Sequence, residues 1–123
     1  MDSKVGFFLV ASVALLPAFA NSQKSPSHYN PRQNLYNYAL STCLADGYEL
    51  VEMKRSFAAA ARAYLEHGDL PLEAHTEATQ LARTFLARKY ESITSDNLTL
   101  MKCIDLFHSR ELQLIAKKYG KTK

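Results

Sequence analysis

Residues 101–109 read MKCIDLFHS, and this stretch decides how the rest of the chain is expected to fold. Its apolar residues recur at steps of three and four around Cys103, which is the spacing of a short buried helix. The second of the two cysteines, Cys43, lies 60 residues earlier in the chain. A bond between them would join the last quarter of the protein to its first folded helix. Closing a loop of that length stabilises a fold by about 4 kcal/mol in the chain-entropy model.

The first 20 residues have the organisation of a secretory signal peptide. Lys4 supplies a basic start, residues 5–16 are apolar or small, and residues 18–20 read AFA, a small-x-small cleavage pattern. The apolar run of 12 residues is shorter than the roughly 20 that a membrane span requires. The sequence therefore predicts a soluble exported protein with no membrane anchor after cleavage.

Composition narrows the class of the mature protein. Removing 20 of the 123 residues leaves 103, enough for one domain with one core. The net charge of +3 comes from interleaved acids and bases, whereas a nucleic-acid binder usually carries a basic stripe. Two cysteines in an exported chain favour a disulfide over a metal site. We therefore expect no nucleic-acid partner and no cofactor.

The mature chain divides into a leader and one helical domain. Residues 21–31 are rich in serine and proline and nearly free of apolar side chains, so we predict a flexible leader. Residues 32–123 form the predicted helical domain, and no β-type alternation occurs in it. The fold class is all-α, a compact bundle of about five helices cross-linked by one disulfide. The predicted helices cover about 32–46, 48–66, 71–86, 98–107 and 109–119.

Several residues mark the expected helix ends. Gly47 fits the left-handed position that ends many helices. Gly68 should end the second helix, and Asp69 can accept hydrogen bonds from the first amides of the third. Asp96 or Asn97 can cap the fourth helix in the same way.

A nucleophilic thiol is the first candidate chemistry. A thiolate must be free and partly exposed to attack a substrate, and it needs a nearby base. Both cysteines lie in apolar helical surroundings, so the disulfide is the favoured interpretation. The residues of this hypothesis are Cys43 or Cys103 as nucleophile and His67, His75 or His108 as base.

Metal binding and acid–base chemistry have weaker support. Cys103 and His108 are five residues apart, which does not place them on one helical face. Glu73 and Glu77 are four apart and could pair, but exposed acids on a helix are ordinary. We therefore predict no metal site and no catalytic residue.

Asp105 interrupts an otherwise apolar helix. Its expected role is a salt bridge or cap involving Lys102 or Arg110. His75 is placed on the solvent-facing side of the third helix, where it either contacts a partner or is merely solvated.

The connection between the third and fourth helices, residues 88–97, is polar and longer than most helix–helix links. Loops of this kind are often functional, and they also occur as plain surface linkers. Residue types alone leave both interpretations open.

Three blocks of this sequence resemble conserved blocks of the type VI secretion amidase immunity family. Residues 37–43 read NYALSTC, residues 68–74 read GDLPLEA, and the third block is residues 101–109. They occur in order and at fitting distances over nearly the whole mature chain, and the third block is the most specific.

The resemblance implies a small, homodimeric, periplasmic helical protein that is not itself an enzyme. Its partner would be a papain-like cysteine amidase that cuts peptidoglycan stems between D-glutamate and diaminopimelate. A loop of the immunity protein would enter the substrate groove, and by position this loop is residues 88–97. The implied effector-binding residues are Tyr90, Glu91, Ser92, Ile93, Thr94, Ser95 and Asp96, with Asp69, Glu73, His75 and Glu77 as a second contact.

Two alternatives stand beside this interpretation. An exported helical adaptor or chaperone would bind several clients weakly, whereas an immunity protein should hold one enzyme tightly. A Cys/His hydrolase would show a free thiol on titration.

Overall fold

The computed structural model describes residues 28–120, and these form five helices with no strand among them. The predicted all-α class is thereby confirmed. The predicted signal peptide and residues 21–27 of the leader lie outside the described residues. None of the helices described is long and apolar enough to cross a membrane. In chain order the helices are α1 Pro31–Gly47, α2 Val51–Glu66, α3 Leu72–Leu86, α4 Thr99–Phe107 and α5 Arg110–Tyr119.

The first helix begins inside the range predicted as a leader. Asn30 Oδ1 accepts a hydrogen bond from the Gln33 amide at 2.8 Å, and Gln33 Oε1 accepts one from the Asn30 amide at 3.0 Å. This capping box satisfies two amides that a helix start leaves without partners, and Pro31 suits the first helical position. The Tyr29 ring also lies 6.0 Å from the ring of Tyr64 on α2. The folded unit therefore begins before residue 32.

Helix α1 is the centre of the fold, and α2, α3, α4 and α5 all pack against it. The sulfur of Cys43 on α1 is bonded to that of Cys103 on α4, which confirms the predicted disulfide. Both cysteines are fully buried. Around them lie apolar side chains from four helices: Leu35, Ala39, Ala74, Ala78, Ala82, Phe85, Leu106, Leu112 and Ala116.

Gly47 does not adopt the left-handed conformation predicted for it, because no described glycine has a positive φ. Its role is to allow close approach of two later helices. A Cβ at this position would lie 2.5 Å from Thr99 Cγ2 and 2.9 Å from Leu86 Cδ2. The end of α1 therefore packs directly against the two ends of the long loop.

The turn between α2 and α3 also differs from its prediction. Pro71 occupies the N-cap position of α3 without any side-chain hydrogen bond to the helix, so Asp69 is not the cap. The N-cap position of α4 is held by Leu98 without a side-chain cap hydrogen bond, so neither Asp96 nor Asn97 is the cap. Asn97 Oδ1 accepts from the Thr99 amide at 2.8 Å just before the helix. Ser109 is the N-cap of α5, and its Oγ accepts from the Leu112 amide at 3.0 Å.

Candidate functional site

The long connection between α3 and α4 carries an isoleucine at its tip. Ile93 is fully exposed, in contrast to the apolar residues that line the core. Tyr90 and Ser92 are half-buried, and the remaining predicted loop residues are exposed: Glu91, Thr94, Ser95 and Asp96. A single exposed apolar side chain is common on protein surfaces. Ile93 differs from such a residue because the loop around it is ordered by hydrogen bonds.

Short polar side chains define the shape of the loop tip. Ser92 Oγ accepts hydrogen bonds from the amides of Thr94 at 3.3 Å and Asp96 at 3.4 Å. The Thr94 hydroxyl donates to the Asp96 carboxylate. Ser95 has a φ of 60°, a left-handed conformation that closes the turn, and its amide donates to the Ser92 carbonyl at 3.2 Å. The tip is therefore a bonded turn with Ile93 projecting from it.

The base of the loop is attached to α4. The Tyr90 hydroxyl donates to Asp105 Oδ2 at 2.5 Å, and this bond to the carboxylate raises the pKa of Tyr90. Lys102 Nζ lies 5.6 Å from the Tyr90 ring centroid and donates to the Leu86 carbonyl at 3.0 Å. The prediction that Asp105 pairs with Lys102 or Arg110 is wrong, because the loop path brings Tyr90 to it instead.

The first residue of the loop is held by α3 and α5. The Arg88 guanidinium carbon lies 3.6 Å from the ring centroid of Phe85, and Arg88 Nη2 donates to Glu111 Oε2 at 3.4 Å. Sequence reasoning did not find this contact or the role of α4 beneath Tyr90. The three-residue spacing of Lys102 and Asp105 was the one available signal.

The second predicted contact surface lies at the start of α3. Asp69 and Glu73 are exposed there. The Glu77 carboxylate accepts hydrogen bonds from the Tyr119 hydroxyl at 2.5 Å and from Lys118 Nζ at 2.9 Å. These two bonds lower the pKa of Glu77. Its carboxylate is therefore already engaged in joining α3 to α5.

His75 is buried, so its predicted place on the solvent-facing side of α3 is wrong. Only 2% of its surface is exposed, and Nδ1 donates to the Pro71 carbonyl at 3.2 Å. The ring edge packs on Tyr38 with the centroids 4.9 Å apart, and Nε2 has no hydrogen-bond partner among the described residues. Burial lowers the pKa of His75 because it disfavours the charged ring. Gly68 makes room for the ring, since a Cβ there would lie 3.1 Å from Nε2.

The structure brings residues 90–96 together but does not bring the second surface to them. The loop follows the last residue of α3, whereas Asp69 and Glu73 lie at its first turn. At 1.5 Å per residue, the 15 residues of α3 separate the two places by roughly 20 Å. A partner that touches both would have to extend along the helix.

The described residues contain no group of three His, Cys, Asp or Glu side chains that could hold a metal ion. Both sulfurs are in the disulfide, so neither is a free thiol in this structure. The described residues thus form a cross-linked helical scaffold that carries an ordered, exposed loop.

Comparison with known proteins identifies the family. The model of the family Tai4, type VI secretion system amidase immunity protein, matches residues 33–116. The chain therefore belongs to this family, and the resemblance drawn from the three sequence blocks is confirmed. No match was found among curated proteins.

Solved structures agree with the assignment. A chain in the structure of the effector–immunity system Tae4/Tai4 from Salmonella typhimurium is 35% identical, with a TM-score of 0.73. That match covers 79% of this chain and 96% of the other. A chain from the complex of Salmonella typhimurium Tae4 with Enterobacter cloacae Tai4 shares the fold at 20% identity and a TM-score of 0.68. That second match covers 77% of this chain and 98% of the other.

Proposed function

We propose that this protein binds a type VI secreted peptidoglycan amidase in the periplasm and inhibits it by placing the loop of residues 88–97 in its substrate groove. The observation that carries the proposal is the fully exposed Ile93 at the tip of an internally bonded loop. Membership of the amidase immunity family supports it. So does the likeness to chains of solved Tae4–Tai4 effector–immunity structures.

The loop suits this role because little of its order has to be acquired on binding. A loop that already holds its bound shape loses less conformational entropy on association, which favours affinity. Ile93 would act as an apolar anchor in a subsite, and anchors of this kind dominate many interfaces. The exposed polar groups of Glu91 and Ser95 would meet donors and acceptors that otherwise bind the cell-wall peptide.

Inhibition on this account is steric. The loop occupies the groove of a papain-like enzyme that cuts between D-glutamate and diaminopimelate, and the substrate is excluded. No covalent step, metal or cofactor takes part, and the immunity protein hydrolyses nothing itself. A free-thiol titration and an activity assay of the immunity protein alone test the last point.

The exposed start of α3 is a candidate for a second contact through Asp69 and Glu73. Glu77 contributes less to it, because Lys118 and Tyr119 already occupy its carboxylate. His75 is left out of the proposed surface because its side chain is buried.

The test of loop insertion is deletion of residues 92–96 from the mature protein, followed by an inhibition assay with the cognate amidase. We expect inhibition to be lost while the helical circular dichroism spectrum is kept, because the deleted residues add nothing to the core. Undiminished inhibition by a folded deletion variant would reject the proposal. Replacement of the same residues by a glycine–serine segment of equal length controls for the shortened connection.

Export and dimerisation are also proposed. Cleavage after Ala20 would give a periplasmic form that begins at Asn21, which mass spectrometry of a periplasmic extract tests.

A homodimer would cover some of the half-exposed apolar side chains, and light scattering measures the oligomeric state. Val51→Glu on α2 and Ile104→Glu on α4 then distinguish two candidate surfaces, because both residues are exposed. A monomer at all concentrations would reject the dimer.

A further inference from the structure

One side chain, Tyr90, connects the loop to α4 close to the tip. Its hydroxyl is bonded to Asp105 and its ring lies beside the ammonium group of Lys102. Lys102 and Asp105 are three residues apart on the helix, so they project from the same side of it. Two neighbouring side chains of one helix thus contact the ring and the hydroxyl of one loop residue.

Helix α4 is a fixed support for this contact. Cys103 lies next to Lys102 in the sequence and is bonded to Cys43 on α1. Lys102 also donates to the carbonyl of Leu86 at the end of α3, where the loop begins. The direction of the loop is therefore set relative to the cross-linked core.

The hydrogen bonds at the tip differ in kind from the bond at the base. They join Ser92, Thr94 and Asp96 to one another, so they maintain the shape of the tip without fixing its direction. Arg88 contacts α3 and α5 where the loop leaves the bundle. Tyr90 is closer to the tip, and its bond to Asp105 joins the loop to α4 three residues before Ile93.

We propose that Tyr90 and Asp105 form a positioning pair, which holds Ile93 in the direction needed for binding without itself contacting the amidase. This inference rests on the proposed function of the loop. Without the pair the loop would sample further orientations, and only the competent fraction would bind. The association rate would fall in proportion to that fraction. The dissociation rate would stay unchanged, because the contacts of the formed complex are the same.

The experiment measures association and dissociation rates of the mature protein with its cognate amidase by surface plasmon resonance. The variants are Tyr90→Phe, which keeps the ring, Asp105→Ala, which removes the acceptor, and the double variant. Asp105→Asn retains an oxygen acceptor and serves as the conservative replacement. Tyr64→Phe and Glu52→Gln are matched controls, because both residues lie on α2, which packs on α1 and carries no part of the proposed surface.

We expect each disruptive single variant to lower the association rate by on the order of three- to tenfold. The double variant should be no slower than either single variant, because both remove one bond. Asp105→Asn should have an association rate close to that of wild type. Hydrogen exchange of the loop amides in the free protein should rise in the disruptive variants and remain unchanged in the controls.

Three results would overturn the pair. The first is a wild-type association rate in every variant, and the second is a decrease in the double variant that equals the combined decreases of the two single variants. The third is a lower association rate in Tyr90→Phe that Asp105→Ala does not show. The last result would mean that Tyr90 contacts the amidase directly. Ile93→Asp, measured in parallel, separates this inference from the proposed function. If Ile93→Asp binds weakly while the pair variants bind normally, only the pair is rejected; if Ile93→Asp also binds normally, loop insertion fails and the pair fails with it.

Discussion

The region around the disulfide and the loop of residues 88–97 are ordered in different ways. Cys43 and Cys103 are fully buried, and apolar packing from several helices surrounds them. The loop is exposed and polar, and its order comes from hydrogen bonds between short side chains. Stability of the fold and the proposed binding of the amidase therefore depend on separate residues. Substitutions in one region should therefore leave the property of the other largely intact.

The largest expected effect is on the stability of the core. Replacing both cysteines, as Cys43→Ser with Cys103→Ser, removes a cross-link that closes 60 residues. The free energy of unfolding should fall by about 4 kcal/mol, because the unfolded chain gains conformational freedom. Urea denaturation of the mature protein measures the change, with the exposed Ser56→Ala as control. An unchanged unfolding midpoint would mean that the disulfide adds nothing to the scaffold.

The next largest effect is on binding, and it should occur without a change in stability. Ile93→Asp places a charge where an apolar anchor is proposed, so affinity for the amidase should fall on the order of tenfold to a hundredfold. The free energy of unfolding should change by less than about 0.5 kcal/mol, because Ile93 is fully exposed. Isothermal titration calorimetry and urea denaturation measure the two quantities. Leu114→Asp, a half-exposed apolar residue on α5, should leave affinity unchanged; an equal loss in that variant would place the binding surface elsewhere.

The smallest effect is a pH dependence that belongs to the core alone. The folded protein lowers the pKa of His75 from its ordinary value of 6.5, so above pH 6.5 the ring is neutral in both folded and unfolded chains. Below pH 6.5 the unfolded chain takes up a proton that the buried ring resists, and stability falls until the pH reaches the lowered pKa. Within residues 28–120 no carboxylate is bonded to the ring to offset this loss, and the ring instead contacts Pro71 and Tyr38.

Urea denaturation of wild type and of His75→Gln between pH 7.5 and about pH 5 measures the decrease in the free energy of unfolding. The decrease should be smaller in the variant, while His108→Gln, an exposed histidine at the end of α4, should behave as wild type. An equal decrease in the free energy of unfolding with falling pH in all three proteins would contradict the assignment to His75.

Local sequence patterns were sufficient to predict the helices and the disulfide. Apolar spacing around Cys103 identified α4, and the predicted start of the last helix at residue 109 agrees with the start of α5 to within one residue. The errors concern contacts between distant segments. The position of Gly47 depends on Leu86 and Thr99, which are brought to it only by folding. His75 is buried because Gly68 leaves room for its ring, and Asp105 meets Tyr90 only because of the path of the loop.

In the proposed complex the ordered loop, and not a helical face, enters the amidase. Hydrogen–deuterium exchange of the mature protein with and without its cognate amidase measures which residues become protected. We predict strong protection of residues 90–96 in the complex and no change along α2. Complete inhibition with unaltered exchange in those loop residues would contradict the account.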